Sequence, residues 1–123
     1  VNSVFHNPEA EHGLLGTMLF SRDAALTATD ALEPEDFYAP NLGHIFRAAS
    51  AVVESGAPLD VLTLAAELDR VGLLDEVGGR AALIGLAGAA PASANAERYA
   101  EMISDHATLR RLAAAGERIT GIA

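Results

Sequence analysis

The sequence predicts an all-α fold: a compact bundle of about five to six short helices followed by one long C-terminal helix. Three observations lead there. Apolar residues recur at helical spacing in one segment after another, and no segment alternates in the manner of a strand for a useful length. Half of the 123 residues are hydrophobic, mostly Ala and Leu, so the chain can bury a core and is not disordered. Helix-start and helix-stop residues punctuate the chain at short intervals.

Val1–His6 reads as a loose arm. Asn7-Pro8-Glu9 then opens the first helix, with Asn as N-cap, Pro at the first helical position and acids in the first turn. That helix is expected to reach Phe20, with Ala10, Leu14, Leu15, Met18 and Leu19 inward. Gly13 and Gly16 lie inside it, each costing about 1 kcal/mol relative to Ala, which implies that another helix packs close there. Ser21 or Asp23 caps a second helix reaching about Leu32, with Ala25, Leu26, Thr29 and Leu32 inward. Pro34 breaks the chain, and Pro34–Phe37 forms a short turn that anchors Phe37 in the core.

The cleanest amphipathic helix follows, opened by Pro40-Asn41 and closed by Gly56. Leu42, Ile45, Phe46, Ala49, Val52 and Val53 form one face, while Asn41, His44, Arg47, Ser50 and Glu54 form the other. Three of the chain's aromatic residues, Phe37, Tyr38 and Phe46, lie in Glu33–Glu54, which marks this stretch as the centre of the core. Asp60 caps a fourth helix whose inward residues are Val61, Leu64, Ala65, Leu68 and Val71, ended by Arg70 and Gly72. Gly78-Gly79 makes a turn suited to positive φ. A fifth helix spans about Arg80 to Ala87 and buries Leu83, Ile84 and Leu86, and Gly88–Pro91 is a linker.

Ser93 is expected to cap the last helix, which can run unbroken to Ile122. The chain thus divides into a globular head, residues 1–93, and a long helix, residues 94–123, within one domain. That helix would be roughly 40 Å long, whereas a compact domain of this size is roughly 35 Å across. Part of it therefore overhangs the head. Its later half still carries an apolar stripe of Leu109, Leu112, Ala113, Gly116 and Ile119, which needs a covering surface, most simply a second copy.

Composition narrows the function. The net charge is −9, and every one of the eight basic residues is Arg. Nucleic-acid binding rests on cations that neutralise phosphates, so strong direct DNA binding is not expected. Arg110-Arg111, with Arg118, is the only local cluster and reads as a solvated helix face. No run is apolar enough to span a membrane and no signal peptide is visible. Cysteine is absent, which fits a cytoplasmic protein. No GxxxxGK[ST] or GxGxxG motif occurs. His6, His12, His44 and His106 show no metal-ligand spacing. Glu33, Glu35 and Asp36 flank a turn and read as solvated or helix-start acids, not an acid/base pair. Catalytic, cofactor-binding and metal-binding residues are therefore all expected to be absent.

Several motifs taken together give the chain a family resemblance. They are Pro8-Glu9-Ala10-Glu11 with Leu15-Gly16, Pro34-Glu35-Asp36-Phe37-Tyr38-Ala39-Pro40, and His44-Ile45-Phe46-Arg47-Ala48. They continue through Gly56-Ala57-Pro58-Leu59-Asp60, Thr63-Leu64, Leu68, Gly72, Leu74, Glu76-Val77-Gly78-Gly79, Pro91-Ala92-Ser93-Ala94-Asn95, Tyr99-Ala100 and Arg110-Arg111-Leu112. In this order the chain resembles the N-terminal domain of DnaB-type replicative DNA helicases, from about Asn7 to Ile119.

The resemblance implies a helical head followed by a helical hairpin, of which residues 94–123 would be the first arm. It implies a collar in which hairpins pair into dimers and three dimers make a hexameric ring. The collar recruits the C-terminal domain of primase and bears on helicase loading, so a loader is a further expected partner. ATP and Mg are expected only in a motor domain outside this sequence. Implied interface residues are Tyr99, Met102, Leu109, Leu112, Ala113 and Ile119. The implied primase-facing residues are Arg80, Ala82 and Leu83, near the short helix after the Gly-Gly turn, together with the Ala113–Ile119 region. The core anchors are Phe37, Leu42, Ile45, Phe46, Leu64 and Leu68. The sequence departs from the family at Ala82, where an aromatic is usual, and at Asp105-His106, where Glu-Lys is frequent. A stand-alone adaptor or inhibitor that caps a host helicase would share these features and differ in having no P-loop downstream. A small acidic helical enzyme would instead show turnover.

Overall fold

The first helix, α1 (Pro8–Met18), begins as its residues dictate: the Asn7 side chain accepts the Ala10 N–H at 3.1 Å, and Pro8 needs no donor. In this computed structural model, residues 5–91 and 95–122 are described, with side chains described through residue 118. The helix ends two residues earlier than expected. The Leu19 and Phe20 N–H groups close a tight turn onto the Gly16 and Thr17 carbonyls, leaving Phe20 exposed.

Ser21, not Asp23, caps α2 (Arg22–Ala31), its hydroxyl accepting the Ala24 N–H. The inward face of α2 corrects the sequence reading. Ala24, Ala25, Ala28 and Leu32 are buried, whereas Leu26 is 44% exposed and Thr29 half-buried. The helix lies against both α1 and the last helix. Only alanines let it approach two neighbours at once, so the bulkier Leu26 turns outward.

A single 3-10 turn, Pro34–Asp36, leads into α3 (Pro40–Glu54). Asp36 folds back to accept the Glu33 N–H at 2.8 Å. The predicted face of α3 is the buried one: Leu42, Ile45, Phe46, Ala49 and Val52 are buried, and Val53 packs beside them. Phe37 and Phe46 meet at 4.9 Å between ring centroids, the tilted geometry aromatic pairs favour. Asp60 and Thr63 cap α4 (Val61–Arg70) reciprocally, at 2.8 and 3.0 Å, and Leu64, Ala65 and Leu68 are buried. Val71, expected inward, is exposed.

Gly78 and Gly79 both take positive φ, 107° and 71°, which lets the chain reverse into α5 (Gly79–Ala89). This helix takes in Gly88 and Ala89, residues expected in a linker. It buries Leu83 and Leu86, one turn apart, while Ile84 is 59% exposed, contrary to expectation. Helix α5 is sandwiched between α1 and α4, and the residue at 84 points away from both.

The last helix, α6 (Ala96–Ile122), is the longest at 27 residues, about 40 Å. The expected Ser93 cap lies outside the described residues. Asn95 fills that role, its side chain accepting the Arg98 N–H at 3.0 Å. Ala100, Ile103 and Ala107 form the buried edge of α6 against α1 and α2. No described side chain beyond Ala107 is buried, so the C-terminal part of the helix leaves the head.

Candidate functional site

Two surfaces carry the candidate residues. The first is α6. Tyr99 and Met102 are half-buried against the core of the head, and the Tyr99 ring lies over Gly13 of α1. Leu109 and Leu112 are 42% and 64% exposed, on one face with the half-buried Ala113. The side chain of Ile119 lies outside the described residues. The five whose side chains are described thus split into a pair turned toward the head, Tyr99 and Met102, and a group of Leu109, Leu112 and Ala113 farther along the helix.

The second surface is the start of α5. Arg80 is exposed and Ala82 half-buried, but Leu83 is wholly buried, with 0% of its surface accessible. Leu83 therefore serves the core and presents nothing to a partner, which corrects its assignment to a docking face. Ala82 borders a groove of about 350 Å3 between α3 and α5, floored by Leu42, Ile45, Val77 and Leu86 and edged by His12 and Asn41. An aromatic side chain at position 82 would extend over that groove, and alanine leaves it open.

Phe37, Leu42, Ile45, Phe46, Leu64 and Leu68 all lie in the single core cluster. Two polar features within the head were not read from the sequence. Glu11, placed with the first-turn acids, is buried, and its carboxylate accepts the Tyr38 backbone N–H at 2.9 Å. This bond ties α1 to the extended chain after the 3-10 turn.

Arg110, read as part of a solvated face, is instead half-buried and docks on that turn, while Arg111 reaches the turn and stays exposed. Arg110 donates to the Asp36 carbonyl at 2.7 Å and to the Phe5 carbonyl, and Arg111 reaches the Asp36 carboxylate at 3.1 Å. The helical period does place both near Ala107, but nothing in the sequence shows that a turn 74 residues earlier offers them a carbonyl.

The titratable groups weighed for chemistry occupy structural places. His12 donates from Nδ1 to the Pro8 carbonyl at 2.7 Å, Glu35 pairs with Arg47 on the surface at 2.9 Å, and Asp36 serves the turn. The Glu67 carboxyl is held below the ordinary carboxylate range, chiefly by hydrogen bonds from Arg70 at 3.0 and 2.8 Å on the same helix. Among the described residues, no group of three His, Cys, Asp or Glu is arranged to hold a metal, and no helix is long and apolar enough to cross a membrane.

The architecture defines a class: among the described residues, a small all-helical domain whose six α-helices end in a long terminal one. The chain belongs to the family described as the DnaB-like helicase N terminal domain, whose family model matches residues 3–105. It is 42% identical over 110 residues to the replicative DNA helicase DnaB of Mycobacterium leprae, covering 89% of this chain and 18% of that protein. It is 37% identical over 106 residues to the replicative DNA helicase DnaC of Bacillus subtilis, covering 86% and 23%.

The crystal structure of the N-terminal domain of DnaB helicase from Mycobacterium tuberculosis superposes with a TM-score of 0.90 at 40% identity, covering 94% of this chain and 83% of that one. The N-terminal domain of the Helicobacter pylori DnaB helicase, a structure described together with its interactions with primase, superposes at 0.78 and 24% identity over 92% and 88%, which speaks to the fold alone. The chain spans about a fifth of the length of the Mycobacterium leprae helicase.

Proposed function

We propose that this chain is the collar domain of a replicative DNA helicase, a non-catalytic module that oligomerises and recruits primase in the cytoplasm. The parent protein would be an ATP-dependent helicase that binds ATP and Mg in a separate motor domain. The sequence of this chain holds no P-loop motif, which agrees with a division of labour between collar and motor. The observation that carries the reading is the course of α6: its last buried side chain is Ala107, its last ties to the head are Arg110 and Arg111, and Leu109 and Leu112 are exposed on one face. Exposed leucines on a projecting helix gain by burial against an equivalent helix, the isologous contact of a two-fold dimer. Such dimers are the expected building block of the hexameric ring.

Sedimentation equilibrium tests the pairing. Self-association is expected in the micromolar range, and Leu112→Asp should weaken it at least tenfold, since a carboxylate would be desolvated in an apolar seam. A monomer at high micromolar concentration that Leu109→Asp and Leu112→Asp leave unchanged would overturn the reading.

Primase recruitment is tested separately, by calorimetric titration with the C-terminal domain of the cognate primase. The projecting part of α6 and the exposed start of α5 are the surfaces available to it. Binding is expected to weaken on Arg80→Glu, a charge reversal at an exposed position at the start of α5. Absence of binding by the parent chain would refute primase as the partner while leaving the dimer reading intact.

A further inference from the structure

Three distant segments meet at one point on the surface of the head. Tyr38, at the end of the 3-10 turn, is stacked on one side by the His6 ring, with centroids 4.1 Å apart and planes 18° from parallel. The Arg110 guanidinium also lies over the Tyr38 ring, 5.4 Å from its centroid. Arg110 then bonds the Phe5 carbonyl on the arm and the Asp36 carbonyl in the turn. From below, Glu11 of α1 holds the Tyr38 N–H, so the ring rests on a fixed backbone. The arm, the turn and α6 are thereby joined through one arginine and one tyrosine.

The position of this junction along α6 gives it a consequence. The last buried side chain of the helix is Ala107, one turn before Arg110. The packing residues Tyr99, Ala100, Met102, Ile103 and Ala107 all lie on the first part of α6, so packing alone holds the helix at one end and leaves the rest free to tilt. A tie at residues 110 and 111 lies where the rod leaves its support, and there it fixes direction most effectively.

The arm's share of the tie is weakly held. Phe5 and His6 precede the first helix and are half-buried. Among the described residues, the arm is held here by one hydrogen bond to a carbonyl and one ring stack. No hydrogen-bond partner among the described residues reaches the buried His6 Nδ1 atom in the docked position. Segments with so few contacts open at low free energy without unfolding the domain.

We propose that Phe5 and His6 form a releasable clasp that, through Arg110 and Tyr38, sets the direction in which α6 leaves the head. With the arm docked, Arg110 is held from two sides and α6 keeps one orientation. With the arm released, Arg110 keeps its bond to Asp36 but loses its second anchor, and the projecting part of α6 samples a wider range. The clasp works within a single chain and does not depend on how α6 pairs.

Pulsed electron spin resonance on the full chain tests this. The sequence contains no cysteine, so Glu54→Cys on α3 and Glu117→Cys on α6, both at exposed positions, give two unique labelling sites. Labelled chain is diluted into unlabelled chain so that each distance is intramolecular. The parent is expected to give one narrow distance distribution. His6→Ala should widen it about two-fold, Arg110→Gln, which also loses the Asp36 bond, at least as much, and the double variant no further than Arg110→Gln alone, because both open the same clasp.

The melting curve of each variant establishes that the head is folded. If Arg110→Gln fails to fold, Arg110→Lys, which keeps the charge but not the two-sided fork, takes its place. An unchanged distribution in folded His6→Ala overturns the proposal. Widening by the Arg110 variant alone also overturns it, since the turn would then hold α6 without the arm.

Discussion

Phe46→Ala is expected to lower the unfolding free energy by about 3–5 kcal/mol, the range seen when a buried phenylalanine is truncated. Phe46 is 1% exposed and is the largest of the fully buried side chains. It sits where α3 faces the rest of the core, and its ring packs on Phe37 from the 3-10 turn. Truncation removes apolar contact, leaves a cavity, and deprives Phe37 of its aromatic partner. A small domain has about 5–15 kcal/mol in total, so a large fraction of the stability is at stake. Urea unfolding of parent and variant measures it. A loss under about 1 kcal/mol would show that the core is centred elsewhere. Phe37→Ala is expected to fall in the same range, and the double variant should lose less than the sum, because the two rings share one contact.

How far the sequence could be read depended on the kind of residue involved. Helices α3 and α4 were legible because large aliphatic side chains at i, i+3, i+4 and i+7 leave a single phase for burial. Helix α2 was not, because alanine carries little hydrophobic signal. There Leu26 looks like the inward residue, yet close contact with two helices selects Ala24, Ala25 and Ala28. In α5 Leu83, Ile84 and Leu86 were all expected inward, and a helix held on two sides took only the i, i+3 pair Leu83 and Leu86.

Polar partners were harder still. Glu11 looks like any acid in a first turn, and its burial follows from where the backbone of Tyr38 happens to run. Arg110 looked solvated because charged residues on a long helix usually are. Its partners are backbone carbonyls, which have no signature in a sequence. The candidate surfaces follow the same division. The stripe through Leu109 and Leu112 could be seen from periodicity, whereas the loss of Leu83 to the core required knowing which neighbours α5 packs against.

The glycines of α1 give a sharper test of packing than any of the large side chains. Gly16→Ala adds one methyl group and improves helix propensity by about 1 kcal/mol, yet it is expected to destabilise the domain by about 1–3 kcal/mol net. A Cβ at Gly16 would stand 2.3 Å from the Leu86 carbonyl oxygen and 3.0 Å from the Ala90 Cβ. The first of these is backbone and cannot swing aside, so α1 and α5 would have to separate. Gly13→Ala, one turn earlier on the same helix, gains the same propensity but meets only the edge of the Tyr99 ring at 3.0 Å. A ring on a flexible side chain can give by a few tenths of an ångström, so this variant should be close to neutral or more stable than the parent. Urea midpoints of the two variants separate propensity from packing, since only packing differs between them. Equal or greater stability in Gly16→Ala would mean that α1 and α5 are not in close contact. Because α5 forms one wall of the groove beside Ala82, a wedge at Gly16 that shifts α5 should also change what that groove can hold. The tight seam between α1 and α5 is therefore the structural basis of the proposed contact surface as well as of the fold.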